Sequence, residues 1–153
     1  MFLAPLTPAH DACAQAAIGW WCFIDAAIYN TNVTCSGDLV LKPLTFAMWL
    51  PGIGATLGVV MINCFNYSAY TNTGDGGSAV ACNNAWLFIS YLIMFGCIIA
   101  STWIMVEYWL AANSCTNWPG IASVVQTVCL LVSATVFFVG RETSSKRPTM
   151  GAF

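Results

Sequence analysis

The run Trp86–Leu110, WLFISYLIMFGCIIASTWIMVEYWL, holds a single charged residue, Glu107. A helix that crosses a bilayer needs about 20 mostly apolar residues, and this run exceeds that. Lipid offers no hydrogen-bond partners, so every backbone N–H and C=O must be satisfied within the segment, which makes it a helix. Composition extends the reading to the whole chain. Of its 153 residues, 59% are hydrophobic and 7% are charged, whereas soluble domains carry about 25% charged residues. Such a chain cannot cover a water-facing surface. Its four Lys+Arg also cannot neutralise a phosphate backbone, so nucleic acid is excluded as a partner.

Three further runs qualify as spans. The expected fold is an all-α polytopic membrane protein, one domain over 1–153 with four transmembrane helices at about 11–29, 44–65, 84–110 and 119–140. The connections are polar; the second, NYSAYTNTGDGGSAVACN, has a Gly-rich centre that reads as a loop. Asn117 is placed to cap the fourth helix, with Pro119 in its first turn. Pro51 either kinks the second helix or starts its regular part. The N-terminus, MFLAPLTPAHDACA, has no basic stretch and is broken by Pro5 and Pro8. It is therefore not read as a cleavable signal, and the first helix is expected to serve as its own.

Basic residues set the orientation. Arg141, Lys146 and Arg147 follow the fourth span, in a short basic tail over 141–153, and only Lys42 lies in a loop. The positive-inside rule then puts both termini on the cytosolic side, and the first and third loops in the lumen. Each of these two loops holds one cysteine, Cys35 and Cys115, an available disulfide pair on the oxidising side. None of the eight cysteines forms a C-x-x-C pair and the only histidine is His10, which argues against zinc or iron–sulfur ligation. The remaining cysteines read as small apolar packing residues. Asn32-Val33-Thr34 is a glycosylation sequon too close to the first helix for modification, and Asn66-Tyr67-Ser68 falls on the cytosolic side.

The residues that stand out are polar ones inside the spans. Asp25, in GWWCFIDAAIYN, is a carboxylate within a membrane segment, a feature that points to function by default. It is expected about four residues from the helix end, with Trp21 and Tyr29 on its face. Three roles are open to it: a hydrated lock pairing with Lys42, a proton- or ion-coupled group, or a contact with a partner protein. Glu107 lies at comparable depth on the third helix, one turn from Trp103. Gly54-x-x-x-Gly58, with Gly52 just before, gives the second helix a smooth face for close packing, internal or with a partner. Asn63 and Gln126 are expected to bond between helices. Trp20, Trp49, Trp86, Trp109 and Trp118 read as membrane aromatics, those near helix ends suiting the interface belt. No cofactor is required. Bound lipid fits such a chain, and His10 and Gln126 are the residues that would offer a ligand to a pigment or haem. No nucleophile–base constellation and no phosphate loop is present, so no enzyme is expected.

Four strings in order carry a resemblance: GWWCFIDAA, GATLGVVMIN, WLFISYLIMFGCIIASTWI, and WPGIASVVQT ending in FVGR. Together they resemble the transmembrane protein 50 family, small four-span eukaryotic membrane proteins whose fungal member is a vacuolar protein sorting protein. The resemblance covers about residues 18–141. The family's recurrent positions match Gly19, Trp20, Trp21, Asp25, Asn63, Pro119, Gly120 and Gly140-Arg141 here. Glu107 stands outside the shared pattern, and the N-terminal stretch is short. The resemblance implies an endosomal or vacuolar trafficking role and a small membrane partner of the vacuolar protein sorting 55 / leptin-receptor-overlapping-transcript type.

The expectation is thus a non-enzymatic subunit of endosome-to-vacuole transport in the endomembrane system. Its rival is an accessory structural subunit of a large organellar complex, respiratory or photosynthetic, in a mitochondrial inner or thylakoid membrane. A third reading, a small transporter, rests on Asp25 and Glu107 alone and lacks the interrupted helices that transporters use.

Overall fold

The computed structural model describes residues 8–36, 41–64, 77–110 and 114–145. The Gly-rich centre of the second loop, the Asn66 sequon and the tail beyond Ser145 lie outside the described residues. Four long helices make up the fold, with no strand among the described residues. They are α1 (Pro8–Asn32), α2 (Leu50–Asn63), α3 (Gly77–Ile104) and α4 (Trp118–Ser145). A short 3₁₀ turn, Phe46–Met48, leads into α2, and α3 continues as a π-helical turn, Met105–Leu110. All four are long and apolar enough to cross a membrane.

The helix ends follow local chemistry. Of the two roles open to Pro51, the structure has it start α2, in the first turn, where its missing N–H breaks no helical bond. Asn117 does not cap α4 with its side chain. Its Oδ1 accepts from the Ser114 hydroxyl at 3.0 Å, and the Thr116 hydroxyl takes the Trp118 N–H at 3.2 Å. At the end of α1, the Thr31 hydroxyl and the Asn32 amide both donate back to the Ile28 carbonyl. These bonds carry the helix beyond Tyr29, where its apolar run ends.

Packing depends on small residues. The first helix pairs mainly with the last, and α2 pairs with both α3 and α4. At Gly19 an added Cβ would stand 3.1 Å from both the Cys129 Cβ and the Gln126 carbonyl oxygen, so only glycine lets α1 lie this close to α4. One turn short of the near end of that seam, the buried Ser133 hydroxyl donates to the Ala12 carbonyl at 2.7 Å. In α2 the buried positions are Pro51, Gly52, Ala55, Gly58 and Ile62, a stripe of helical spacing made mostly of small side chains. Gly54 faces the Cys97 sulfur and Gly58 faces Met94, both on α3. The pair is thereby occupied inside the bundle. Ala55, Ile62, Met94, Leu130 and Ala134 form the apolar centre where α2, α3 and α4 meet.

In lipid there is little hydrophobic drive between helices, so van der Waals fit and interhelical polar bonds must hold them. Two such bonds are in place. The Trp20 indole N–H donates to the Thr56 hydroxyl at 3.1 Å, joining α1 to α2. Ser101 and Thr127 share a hydroxyl–hydroxyl bond at 3.1 Å between α3 and α4. Each contributes on the order of 0.6 kcal/mol in a membrane.

Candidate functional site

The polar features of the chain converge at the end of the bundle where α1 finishes and α4 begins. There Cys35 and Cys115 are joined in a disulfide, with Cα atoms 5.6 Å apart. It ties the segment after α1 to the segment before α4. The buried Asn30 amide donates to the Lys42 carbonyl at 3.0 Å. This pins the first loop onto α1. Lys42 itself turns toward the π-helical turn: its Nζ stands 4.3 Å from the centre of the Tyr108 ring. The Tyr108 hydroxyl donates to the Pro43 carbonyl at 3.2 Å. Lys42 therefore makes a cation–π contact, a bond of about 0.5–1 kcal/mol at an exposed site, and the pairing with Asp25 that the sequence left open is not formed.

The π-helical turn explains how neighbouring residues serve opposite sides. Trp109 points inward and is 1% exposed; Gly120 leaves room for it, since a Cβ there would lie 2.7 Å from the indole Cδ1. Trp109 is thus a core residue and not part of an interfacial belt. Its burial and the neighbouring Gly120 also give the Pro119-Gly120 pair a packing role. Trp49 likewise joins an internal aromatic cluster, 6.4 Å from Trp20 and edge-on to Phe23 at 5.0 Å. Trp86 and Trp118 remain exposed near helix ends, with the Trp86 indole N–H on the Met61 carbonyl.

Against this ordered end, two carboxylates stand outside. Asp25 and Glu107 are both exposed, and neither has an ion-pair partner among the described residues. Asp25 is also deeper than expected. The helix runs on to Asn32, so at 1.5 Å per residue Asp25 lies about 10 Å below its end. It shares its face with Trp21, 75% exposed, and Tyr29, 51% exposed. Glu107 lies on the π-helical turn that continues α3. The main pairings set α1 against α4 and α3 against α2 and α4, so the two carboxylates do not form a pair across the bundle.

The two interior polar residues behave differently from the expectation. Asn63 is exposed at the end of α2 and its amide donates to the Val59 carbonyl of its own helix at 3.0 Å. Gln126 is fully buried, yet neither atom of its amide has a hydrogen-bond partner among the described residues. It lies against Gly52. No composition signal could have found this, because the sequence shows the amide but not the backbone that closes over it. Among the described residues no group of three or more His, Cys, Asp or Glu is arranged to hold a metal ion.

Comparisons with known proteins agree with this architecture. A family model described as Uncharacterised protein family (UPF0220) matches residues 10–146. A transmembrane protein 50 homolog of Dictyostelium discoideum is 38% identical over 122 residues, covering 76% of this chain and 77% of the relative. Vacuolar protein sorting-associated protein 68 of Saccharomyces cerevisiae is 25% identical over 147 residues, covering 84% of this chain and 77% of that protein. No solved structure matches. The four spans, the order of their motifs and these matches together make the chain an integral membrane protein that belongs to the UPF0220 family, the family of transmembrane protein 50.

Proposed function

We propose that the chain is a non-enzymatic membrane subunit in endosomal–vacuolar protein sorting, and that it holds a second, small membrane protein against the Asp25 face of α1. The observation that carries this reading is the exposed, unpaired carboxylate about 10 Å below the end of a membrane helix. Near the bilayer centre an ionised carboxylate costs roughly 2.5–3.5 kcal/mol. A partner helix bearing a cation or an amide at that depth removes this cost. Trp21 and Tyr29 beside it add apolar area with little side-chain entropy to lose. The likeness to a vacuolar protein sorting-associated protein supports the pathway. The resemblance to the transmembrane protein 50 family supports a partner of the vacuolar protein sorting 55 / leptin-receptor-overlapping-transcript type.

In this reading both termini face the cytosol and the Cys35–Cys115 end faces the lumen. The basic residues after the fourth span favour that orientation, and so does a disulfide at the other end, since disulfides persist on the oxidising side. No cofactor enters the reading.

The test is purification of the tagged full-length chain in mild detergent, with mass spectrometry of what stays bound. A small multi-span protein with sorting factors is expected, lost in Asp25→Leu and retained at least in part in Asp25→Asn. Recovery of respiratory or photosynthetic subunits instead would overturn the proposal.

A further inference from the structure

The cysteines divide by depth. Cys35 and Cys115 are oxidised at one end of the bundle. Cys22, Cys97 and Cys129, in mid-membrane, are partly buried between helices. The remaining three, Cys13, Cys64 and Cys82, are all exposed. Cys13 lies in the second turn of α1, Cys64 is the C-cap of α2, and Cys82 lies in the second turn of α3. Consecutive spans run in opposite directions, so the start of α1, the end of α2 and the start of α3 share one face of the membrane. That face is the one opposite the disulfide.

Packing accounts for the mid-membrane thiols but not for these, which touch no core. Compartment chemistry accounts for their staying reduced: with the disulfide on the oxidising side, the opposite side is the reducing one. A second observation singles out Cys64. The span that it ends is 18 residues long, against 30 for the α3 span beside it. A short span among longer ones leaves lipid-depth volume unfilled at its end, a mismatch that bilayers meet by thinning or by added apolar groups.

We propose that Cys13, Cys64 and Cys82 are S-acylation sites. Thiols just inside a membrane boundary are the acceptors for this modification. The donor is a long-chain acyl-CoA presented by a membrane acyltransferase. The cysteine thiolate attacks the thioester carbonyl, a new cysteine–acyl C–S bond forms, and the bond to coenzyme A breaks. The coenzyme A thiolate leaves and takes up the proton that the cysteine gave up. No oxidant or reductant is involved, and hydrolysis of the thioester reverses the step. At Cys64 the acyl chain lies beside the short α2 and fills the leaflet there.

This inference rests on the orientation proposed above, and its experiment separates the two. The full-length chain is taken from cells, reduced, and its free thiols are blocked. Thioesters are then cleaved with neutral hydroxylamine and the released thiols tagged with a polyethylene-glycol maleimide. A ladder of up to three hydroxylamine-dependent steps is expected. Cys13→Ser, Cys64→Ser and Cys82→Ser each remove one step, and the triple substitution removes all. Serine at Cys22, Cys97 and Cys129 leaves the ladder unchanged. A chain with no hydroxylamine-dependent step, or a ladder that survives the triple substitution at 13, 64 and 82, overturns the proposal. Orientation is read separately on a chain with Cys64 as its only free thiol. In sealed microsomes a membrane-impermeant maleimide labels it without detergent if that end is cytosolic. Labelling only after permeabilisation refutes the orientation whatever the ladder shows.

Discussion

A single methyl group at Gly52 tests how closely α2 and α4 are fitted. In Gly52→Ala the new Cβ would stand 2.6 Å from Nε2, 2.7 Å from Oε1 and 2.8 Å from Cδ of Gln126. Non-bonded heavy atoms settle at about 3.5–4.0 Å, so the amide must withdraw by roughly 0.8 Å. It is fully buried and has no open space to withdraw into. Overpacking of this kind costs about 1–3 kcal/mol. For a chain of this size 1 kcal/mol moves Tm by about 2–4 °C, so Tm should fall by about 2–12 °C. The assay is thermal unfolding in detergent, followed by a dye that fluoresces on reaching the buried thiols Cys97 and Cys129. The informative comparison is with Gln126→Ala. In that background the obstructing amide is gone, and Gly52→Ala should cost less than about 0.5 kcal/mol, within the error of additivity. Equal cost in both backgrounds, or an unchanged Tm in Gly52→Ala, would refute the claim that Gly52 and Gln126 are fitted to one another.

Other outcomes follow from the same geometry. Gln126→Met should raise Tm, because it replaces an unpartnered buried amide, a burden of about 1–3 kcal/mol, with an apolar side chain of similar size; a lower Tm would show that the amide has a bonded partner. Gly58→Ala should destabilise by overlapping Met94, whereas Gly96→Ala, with nothing within 4 Å, should be neutral or gain up to about 1 kcal/mol of helix propensity. Equal responses of the two in the same melt would sink the argument. Cys35→Ser should abolish the faster migration of the unreduced chain on a denaturing gel and lower Tm. A loop of 80 residues sets the chain-entropy gain at no more than about 4.5 kcal/mol, and helices held in lipid reduce it further. Trp109→Ala should cost about 3–5 kcal/mol, and a loss below 1 kcal/mol would place that ring outside the core.

The four-span fold was legible because lipid imposes one rule on every backbone group, and long apolar runs such as Trp86–Leu110 can satisfy it only as helices. Helix ends were less so. The Thr31 and Asn32 bonds to Ile28 extend α1 past its apolar run, which is why Asp25 lies deeper than its distance from Tyr29 suggested. Individual side chains were harder still. Trp109 reads as an interfacial tryptophan until the π-helical turn rotates it onto Gly120. Lys42 reads as a partner for Asp25 until the Asn30 bond to its carbonyl holds the loop over Tyr108. In both cases the deciding contact is long-range, and spacing along one helix carries no information about it.

The pairing of the first helix with the last has a consequence for how the chain is made. Synthesis delivers α1 to the membrane long before α4 exists. Until then the Ala12 carbonyl lacks the Ser133 hydroxyl, the narrow groove at Gly19 stands empty, and Cys35 has no thiol to join. The nascent bundle therefore stays open until the final span arrives and closes it like a clasp. A transcript truncated before α4 would release the N-terminal helix as surely as it removes the C-terminal one. The outer face of α1, which α4 never covers, is available from the start, so a neighbour that binds Asp25 is free to engage during translation and to shelter the unfinished chain.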